Sequence, residues 1–222
     1  MKTILTLCCT FIFLISCQKE LNFDAPAVVS SSCKQCSYVP FCNGSVYVYS
    51  DTIGGMGRDV TETINIVKDT TIDGKNYQEF LDGGTKAYHN CATGISTLLA
   101  FAVPVPGGNV PRLEQIVLKA NSAVGTTWSN SFPVGLGIAT FDFRVAAKGL
   151  TKSILGVTYN DVTQVHLIIR TTIAGGISAI VGTSDYFYAN NIGLVENVSF
   201  STPLAGPPTV IYHRVLKTYS IP

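Results

Sequence analysis

The sequence has few charged residues and few of the side chains that usually carry catalysis. Lys, Arg, Asp and Glu make up 13% of the 222 residues, and there are only three histidines, one tryptophan and two methionines. His89, His166 and His213 stand far apart, so no His-x-His or His-x-x-x-His spacing indicates a metal site or a general base. We expect these histidines to serve packing, and we expect neither a metal nor another cofactor.

The sequence also lacks the motifs of common hydrolases. The serines in Gly94-Ile95-Ser96, Gly176-Ile177-Ser178 and Gly182-Thr183-Ser184 have no second glycine and no following helix pattern, both of which a nucleophile elbow needs. A glycosidase needs two carboxylates about 5 to 10 Å apart, and nothing selects such a pair among the 14 acidic residues. The chain is therefore not expected to be an enzyme, with a hydrolase kept as an alternative.

There is no excess of either charge and no long apolar run after residue 16. Without Lys2, the chain has 14 basic and 14 acidic residues, a balance that gives no basis for nucleic-acid binding or a polybasic membrane contact. The only extended apolar run, Ile4–Ile15, is too short to span a bilayer, which needs about 20 residues. Residues 1–16, with Lys2 at the start and Ser16 before the cut, have the organisation of a signal peptide.

The end of this run, Leu14-Ile15-Ser16-Cys17, resembles the lipobox of bacterial lipoproteins. The resemblance implies that residues 1–16 are removed and that acyl chains such as palmitate are attached to Cys17. Two or three chains would hold the protein firmly at a membrane. The alternative is an ordinary signal peptide with a chance cysteine at the cleavage point.

The next residues, Gln18-Lys19-Glu20, resemble the short Gln-Lys-acid tract of surface lipoproteins of the Bacteroidota type. That resemblance implies a lipid anchor in the outer membrane with display at the cell surface. The periplasmic face of that membrane is the alternative. Residues 17–32, with Pro26 and three successive serines, are expected to form a flexible lipidated stalk before a folded body at residues 33–222.

Four cysteines remain after the signal peptide and Cys17: Cys33, Cys36, Cys42 and Cys91. An even number in an exported protein indicates two disulfides, and the sequence leaves their three connectivities open. Four thiolates around zinc are the alternative, but a zinc ribbon needs a second Cys-x-x-Cys. We expect the bridges to fasten the N-terminal turn region to the strand that carries Cys91.

The sequence of the folded body, residues 33–222, predicts an all-β protein. Runs of β-favouring residues predict strands at Val46–Tyr49, at Val60–Val67 and, after a hairpin turn at Asp73-Gly74, at Asn76–Phe80. Further strands are predicted through to Val210–Tyr219, and only residues 112–120 would suit a short helix equally well. No segment has sustained helical periodicity with caps.

Two features suggest two similar halves, 33–105 and 112–222. Residues 72–80 and 154–162 share the pattern Ile-x-Gly-x-x-Tyr-x-acid-apolar, and a Pro/Gly cluster lies at residues 104–111. The alternative is that any hairpin with glycine in its turn has this pattern.

The stretch Tyr186–Val195 resembles the C-terminal strands of many uncharacterised Bacteroidota lipoproteins. This resemblance covers about the last hundred residues and implies a curled antiparallel sheet, similar to the half-barrels of lipoprotein carriers. A β-sandwich is the alternative.

Aromatic residues are the candidates for ligand binding, and Asp-Thr pairs are candidates for modification. Alternation places Tyr47 and Tyr49 on one face and Tyr186 and Tyr188 on another, where each pair could stack on a sugar or line an apolar groove, although cross-strand packing explains them too. Asp51-Thr52 and Asp69-Thr70 resemble O-glycan attachment sites of Bacteroidota, at predicted strand ends. The candidate ligand-binding residues are Tyr47, Tyr49, Trp128, Tyr186 and Tyr188, and the O-glycan candidates are Thr52 and Thr70.

These observations predict a non-catalytic, lipid-anchored cell-envelope protein that binds or presents an unidentified small molecule, lipid or glycan. Its expected partners are the membrane, through Cys17, and that ligand. A carrier that encloses a lipid or another apolar molecule in a curled sheet is the competing hypothesis. The oligomeric state is left open.

Overall fold

The structure, a computed structural model, describes residues 36–82, 85–105, 108–135, 137–173, 176–202 and 207–222. These ranges contain thirteen β-strands and no helix, which confirms the all-β prediction. The strands are β1 Val46–Ile53, β2 Met56–Thr63, β3 Ile66–Ile72, β4 Lys75–Asp82, β5 Thr85–Ala92, β6 Ile95–Val105, β7 Gly108–Lys119, β8 Thr127–Val134, β9 Gly137–Ile154, β10 Val157–Ile173, β11 Ser178–Ala189, β12 Gly193–Ser201 and β13 Thr209–Ser220. Within the described ranges, no helix could serve as a membrane-spanning segment.

The strands form two antiparallel sheets. The large sheet has eight strands in the order β2-β1-β13-β12-β11-β10-β9-β8, and the small sheet has five in the order β3-β4-β5-β6-β7. Neither sheet closes on itself among the described strands, an arrangement consistent with either expected architecture, curled sheet or sandwich.

The chain crosses between the sheets twice, between β2 and β3 and between β7 and β8. The single strand predicted at Val60–Val67 is therefore wrong, because it is divided at Ile64-Asn65 between the two sheets. Ile64 still continues the pairing of β1 with β2: its N–H donates to Ser45 O and its carbonyl accepts from the Gly44 N–H, both at 2.8 Å. The chain leaves the large sheet after this residue, at Asn65, and the Ile66 N–H then donates to Asn43 Oδ1 at 2.9 Å.

The sheets follow a different division from the halves 33–105 and 112–222. Strand β7 pairs with β6 directly across the Pro/Gly cluster, and β1 pairs with β13, the last strand of the chain. The large sheet is thus built from both ends of the chain. Residues 112–120, where a helix was conceivable, belong mostly to β7.

The shared Ile-x-Gly pattern marks two hairpins in different sheets. Asp73-Gly74 joins β3 to β4, as predicted, and Leu155-Gly156 joins β9 to β10. All four residues have positive φ (50° and 75°, then 50° and 85°), as a type I′ turn requires. The turn chemistry therefore accounts for the glycine and the residue before it in the shared pattern.

Two hydrophobic clusters form the core. One packs Tyr47 and Tyr49 of β1 with Leu216 of β13 and Ile221, while the other packs Trp128 and Phe143 against the β10 residues Val165 and Leu167. Burial of side chains of this size contributes about 1.5–3 kcal/mol each. The segment from Cys36 to Cys42, called the N-terminal loop below, supplies Cys42 to the first cluster and Tyr38 to the second.

Candidate functional site between the two sheets

The N-terminal loop is fastened to the small sheet. Cys36 forms a disulfide with Cys91 of β5, and the Phe41 ring stacks on His89 with 4.3 Å between ring centroids. The same ring meets Phe80 of β4 edge-on at 4.7 Å. The expectation that a bridge fastens the N-terminal turn region to the strand of Cys91 is confirmed.

The loop is also hydrogen-bonded to the large sheet. The Asn191 N–H donates to Ser37 O at 2.6 Å, and the Tyr38 hydroxyl donates to Asp161 Oδ1 at 2.7 Å. Gly193, whose φ of +110° suits glycine, lies under Pro40, where an added Cβ would meet the proline ring at 3.6 Å. The N-terminal loop therefore packs against Tyr186–Val195, the stretch that resembles the lipoprotein C-terminal pattern.

Between the sheets and beside the loop lies a cleft of about 550 Å³. The large sheet contributes the rings of Tyr47, Tyr49 and Tyr188, and the small sheet contributes Phe80 and Leu98. Strand β2 and the following residue line one side with the successive residues 60–64. The remaining lining residues are Val39, Pro40, Phe41, Leu81, His89, Val117, Gly193 and Leu194.

The two tyrosine pairs, expected on different faces, share one face of the large sheet. Cross-strand partners point to the same side, and the register runs from Asp51 to Arg214, then to Asn197, and then to Tyr186. Tyr49, two residues before Asp51, is therefore on the same side as Tyr186. The rings stack within each pair, with centroids 6.2 Å apart for Tyr47 and Tyr49 and 6.4 Å for Tyr186 and Tyr188.

These tyrosines are mostly buried and serve the core as well as the cleft. The Tyr47 hydroxyl donates to Pro40 O at 3.3 Å, and that of Tyr49 donates to Leu194 O at 3.2 Å. Burial raises the pKa of the Tyr47 and Tyr49 hydroxyls, so both are neutral donors at ordinary pH. Trp128 is buried elsewhere: it stacks on Phe143 and donates to Ile116 O at 2.9 Å, without lining the cleft.

A charged cluster that the sequence did not indicate lies at the edge of this face. Arg214 of β13 donates to both carboxylate oxygens of buried Asp51 in β1 at 2.7 and 2.9 Å, and it also pairs with Glu62 of β2. Its guanidinium lies 4.6 Å from the centre of the Tyr49 ring. Hydrogen bonds from Arg214 hold the pKa of Asp51 below its ordinary value. Because these residues are far apart in the chain, no local pattern could reveal the cluster.

A second, more polar groove of about 1220 Å³ runs along the small sheet. Glu114 of β7 accepts hydrogen bonds there from Lys75 at 2.6 Å and from the Tyr77 hydroxyl at 3.1 Å. Arg112 pairs with Asp73 and with Glu114. The groove shares Val39, Phe41 and His89 with the cleft, and these residues form a common wall.

The histidines do not form an accessible catalytic pair in either cavity. His89 Nε2 lies 2.9 Å from Ser96 Oγ, but this serine is fully buried, and burial lowers the pKa of His89 to about 4. His166 contacts Asp185 at 2.9 Å and His213 contacts Glu196 at 2.8 Å, and none of these four residues lines the cleft or the groove. Over the described ranges, no group of three potential metal ligands comes together.

The remaining predicted residues are placed as follows. Cys17 and Cys33 lie outside the described residues. Cys42 is buried and, like Cys36 and Cys91, disulfide-bonded, so these three do not supply thiolates to a zinc ion. Thr52 and Thr70 are half-buried within β1 and β3.

Comparison with known proteins identifies no family, since no family model and no curated protein matches the chain. Two solved structures are similar over 83% of this chain and 99% of their own. One, described as a "putative lipoprotein" from Parabacteroides distasonis, is 14% identical with a TM-score of 0.48. The other, described as a "putative exported protein with YmcC-like fold" from Bacteroides fragilis, is 12% identical with a TM-score of 0.47. At these values the likeness decides nothing about activity or ligand. The described residues themselves define an all-β protein of two sheets joined by a disulfide-anchored loop, with a cleft between them.

Proposed function

We propose that this chain is a non-catalytic, lipid-anchored protein of the bacterial cell envelope that binds a small, largely apolar molecule in the inter-sheet cleft. The observation that carries the proposal is the cleft itself, with aromatic and aliphatic walls from both sheets and from the N-terminal loop. Its volume of about 550 Å³ lies within the range of about 300–1,000 Å³ that is usual for ligand pockets.

The polar groups around the cleft support binding over catalysis. Glu62 is paired with Arg214, and His89 is buried under Phe41 with its Nε2 on Ser96. A general acid or base must reach a proton of the substrate, and these groups are already engaged in contacts within the fold. What the cleft offers a ligand is mainly ring faces and methyl groups.

The ligand can be sought by native mass spectrometry of residues 17–222 purified from the natural host. The proposal predicts a co-purifying small molecule that is lost in Leu98→Trp, because the larger ring fills the cleft from the small sheet. Val67→Trp is the matched control, since Val67 is an exposed apolar residue of the same sheet outside the cleft. A retained lipid would favour the carrier hypothesis, and equal occupancy in both variants would place the ligand elsewhere.

The anchor is tested separately, at Cys17. Labelling cells with a palmitate analogue should mark the parent chain but not Cys17→Ala, and the variant should leave the membrane fraction. Protease added to intact cells should cleave the parent if it is displayed at the surface. Protection from protease would place it on the periplasmic face, and equal labelling of both chains would exclude lipidation at Cys17.

A further inference from the structure

We propose that one end of the large sheet inserts into the surface of a lipid bilayer. Eight large aliphatic side chains, each 41–77% exposed, lie at this end, and we call them the apolar rim. They are Ile53, Met56, Ile138, Ile177, Ile180, Val181, Val210 and Ile211. The remaining exposed large apolar residues, Val67, Leu81, Leu98, Phe101, Val124 and Leu155, lie outside this rim.

The strand register shows that the rim is continuous. Ile53 and Met56 face each other at the β1–β2 turn, and the Gly54 N–H donates to Ile211 O at 3.4 Å. From Val210 the register leads through Phe200 of β12 towards the start of β11, where the Thr202 N–H donates to Val181 O at 3.3 Å.

The far side of the rim follows in the same way. Thr172 of β10 pairs with Ser178, at the start of β11, and on its other side with Ile138 of β9. The rim therefore runs along the same end of seven neighbouring strands, from β2 to β9.

The described residues of the connections at this end include no charged residue. They are residues 53–56, 134–135, 137–138, 176–178, 201–202 and 207–209, and they consist of glycine, proline, serine, threonine, methionine and aliphatic residues. Along the strands behind the rim, the exposed Arg58 lies two residues after Met56. Burying a charge in hydrocarbon is costly, so only the uncharged tips would enter a bilayer surface, with Arg58 left at its edge.

A lipid surface fits this rim because of its shape and the length of the preceding chain. The apolar residues lie on several hairpin tips, so their side chains can enter the headgroup region while the strands behind them stay outside it. Cys17 is separated by 18 residues from Cys36, and 18 extended residues reach about 60 Å.

For Cys17 to reach the membrane at the rim, the residues between Cys17 and Cys36 would have to extend along the sheet. The reason is that Ser37 O accepts a hydrogen bond from the Asn191 N–H at the end opposite the rim. The nine residues of β12 span about 30 Å at 3.4 Å per residue. The 18 residues between Cys17 and Cys36 are therefore long enough for acyl chains on Cys17 and the rim to enter the same membrane. That the chain lies next to a membrane rests on the proposed function, but the test below does not depend on lipidation.

The test uses residues 17–222 with Cys17→Ala, so that no acyl chain is present, and vesicles of phosphatidylethanolamine and phosphatidylglycerol. In flotation assays the unacylated chain should bind, with little change between low and high salt, because no basic cluster is involved. The double variant Met56→Asp, Ile177→Asp should bind at least about tenfold more weakly, since charged side chains resist leaving water.

The matched control is the double variant Val124→Asp, Leu155→Asp, which adds the same two charges at exposed apolar residues outside the rim. Leu155 is an equally exposed aliphatic residue on a hairpin turn outside the rim, and Asp-Gly suits a type I′ turn. Equal loss of binding in the control and the rim variant, or no flotation of the unacylated chain, would overturn the inference. Rim-dependent self-association in sedimentation velocity without vesicle binding would also overturn it, in favour of a second copy of the chain. Palmitate labelling at Cys17 is measured separately. A chain that carries no lipid can therefore be distinguished from a chain whose rim does not bind vesicles.

Discussion

Arg214 and Asp51 are joined by two hydrogen bonds across the pairing of the first and last strands, although they are 163 residues apart in the chain. The carboxylate is buried, and the guanidinium also contacts Glu62 and lies over the Tyr49 ring. The strand that follows the N-terminal loop is thereby fastened to the C-terminal strand. This pairing completes the large sheet, which supplies one wall of the cleft.

Removal of Arg214 should destabilise the protein strongly. Arg214→Met leaves Asp51 buried without its partner, and breaking a buried pair in this way costs about 3–5 kcal/mol. Urea denaturation at neutral pH measures the loss of unfolding free energy. The double variant Arg214→Met, Asp51→Asn should recover much of it, because the buried charge is then gone. If the single and double variants were equally stable, the pair would not be the cause.

The same pair predicts a loss of stability in acid. Since Arg214 lowers the pKa of Asp51 in the folded state below its ordinary value of 3.8, the ionised carboxylate stabilises the fold above that pH. This contribution should be lost as the pH falls from about 3.8 through the lower pKa of the folded state. Asp51→Asn should remove that part of the pH dependence. If Asp51→Asn lost unfolding free energy below pH 3.8 as steeply as the parent, Asp51 would not be the group responsible.

His89 should produce a second loss of stability on acidification, in a higher pH range than that of Asp51. Its pKa is 6.5 when exposed and about 4 in the fold, because burial disfavours the charged ring. The unfolded chain therefore takes up the proton first, and the full contribution present above pH 6.5 is lost as the pH falls towards 4.

The size of this effect is limited to about 3 kcal/mol, since each pKa unit corresponds to about 1.4 kcal/mol. Urea titrations between these two pH values should show a smaller slope for His89→Gln than for the parent. Equal slopes for the parent and His89→Gln would show that His89 does not titrate as expected.

The disulfide between Cys36 and Cys91 should make a large contribution to stability. It closes a loop across 55 positions of sequence, for which loss of unfolded-chain entropy gives roughly 2–4 kcal/mol. Cys36→Ser, Cys91→Ser should lower the unfolding free energy by this amount and increase proteolysis of the N-terminal loop. If the reduced and oxidised parent proteins unfold at the same urea concentration, the bridge does not stabilise the fold.

Phe41 should matter for both stability and the separation of the two cavities. Its ring packs on His89 and Phe80 and lies in the wall that the cleft and the groove share. Phe41→Ala should cost about 2–3 kcal/mol, less than a fully buried phenylalanine, because the ring is half-exposed. It should also increase binding of a fluorescent apolar dye. Phe41→Leu fills most of the space and should cost less than half as much; equal effects of the two substitutions would contradict this role.

Local chemistry explains why much of the fold was predictable. The Asp73-Gly74 turn needs two residues that tolerate positive φ, and the β-branched run of β1 suits a pleated strand, so both can be read from neighbouring residues. The break after Ile64 was not predicted in this way. Most of the run Val60–Val67 favours a strand, and its exception, Asn65, lies where the chain changes sheet. The partners on either side, Ser45 for Ile64 and the Asn43 side chain for Ile66, are set by the tertiary structure.

The candidate site was predicted only in part for the same reason. Tyr47, Tyr49 and Tyr188 are candidates from the sequence to contact a ligand, and they line the cleft, whereas Trp128 is buried in the core. The sequence contained no sign that Arg214 would meet Asp51 or that Phe41 would separate two cavities. Such contacts depend on which strands become neighbours.

By itself, the amino-acid sequence determined the all-β class and the hairpin turns, because these follow from residue preferences over a few positions. It also contained the lipobox-like Leu14-Ile15-Ser16-Cys17 and the even set of cysteines. Only the tertiary structure decided that both chain ends share one sheet, that the Cys36–Cys42 loop joins two sheets, and that eight aliphatic residues meet at one end. These features bring together residues more than a hundred positions apart, and strand pairing over such distances is set by the packing of the whole chain.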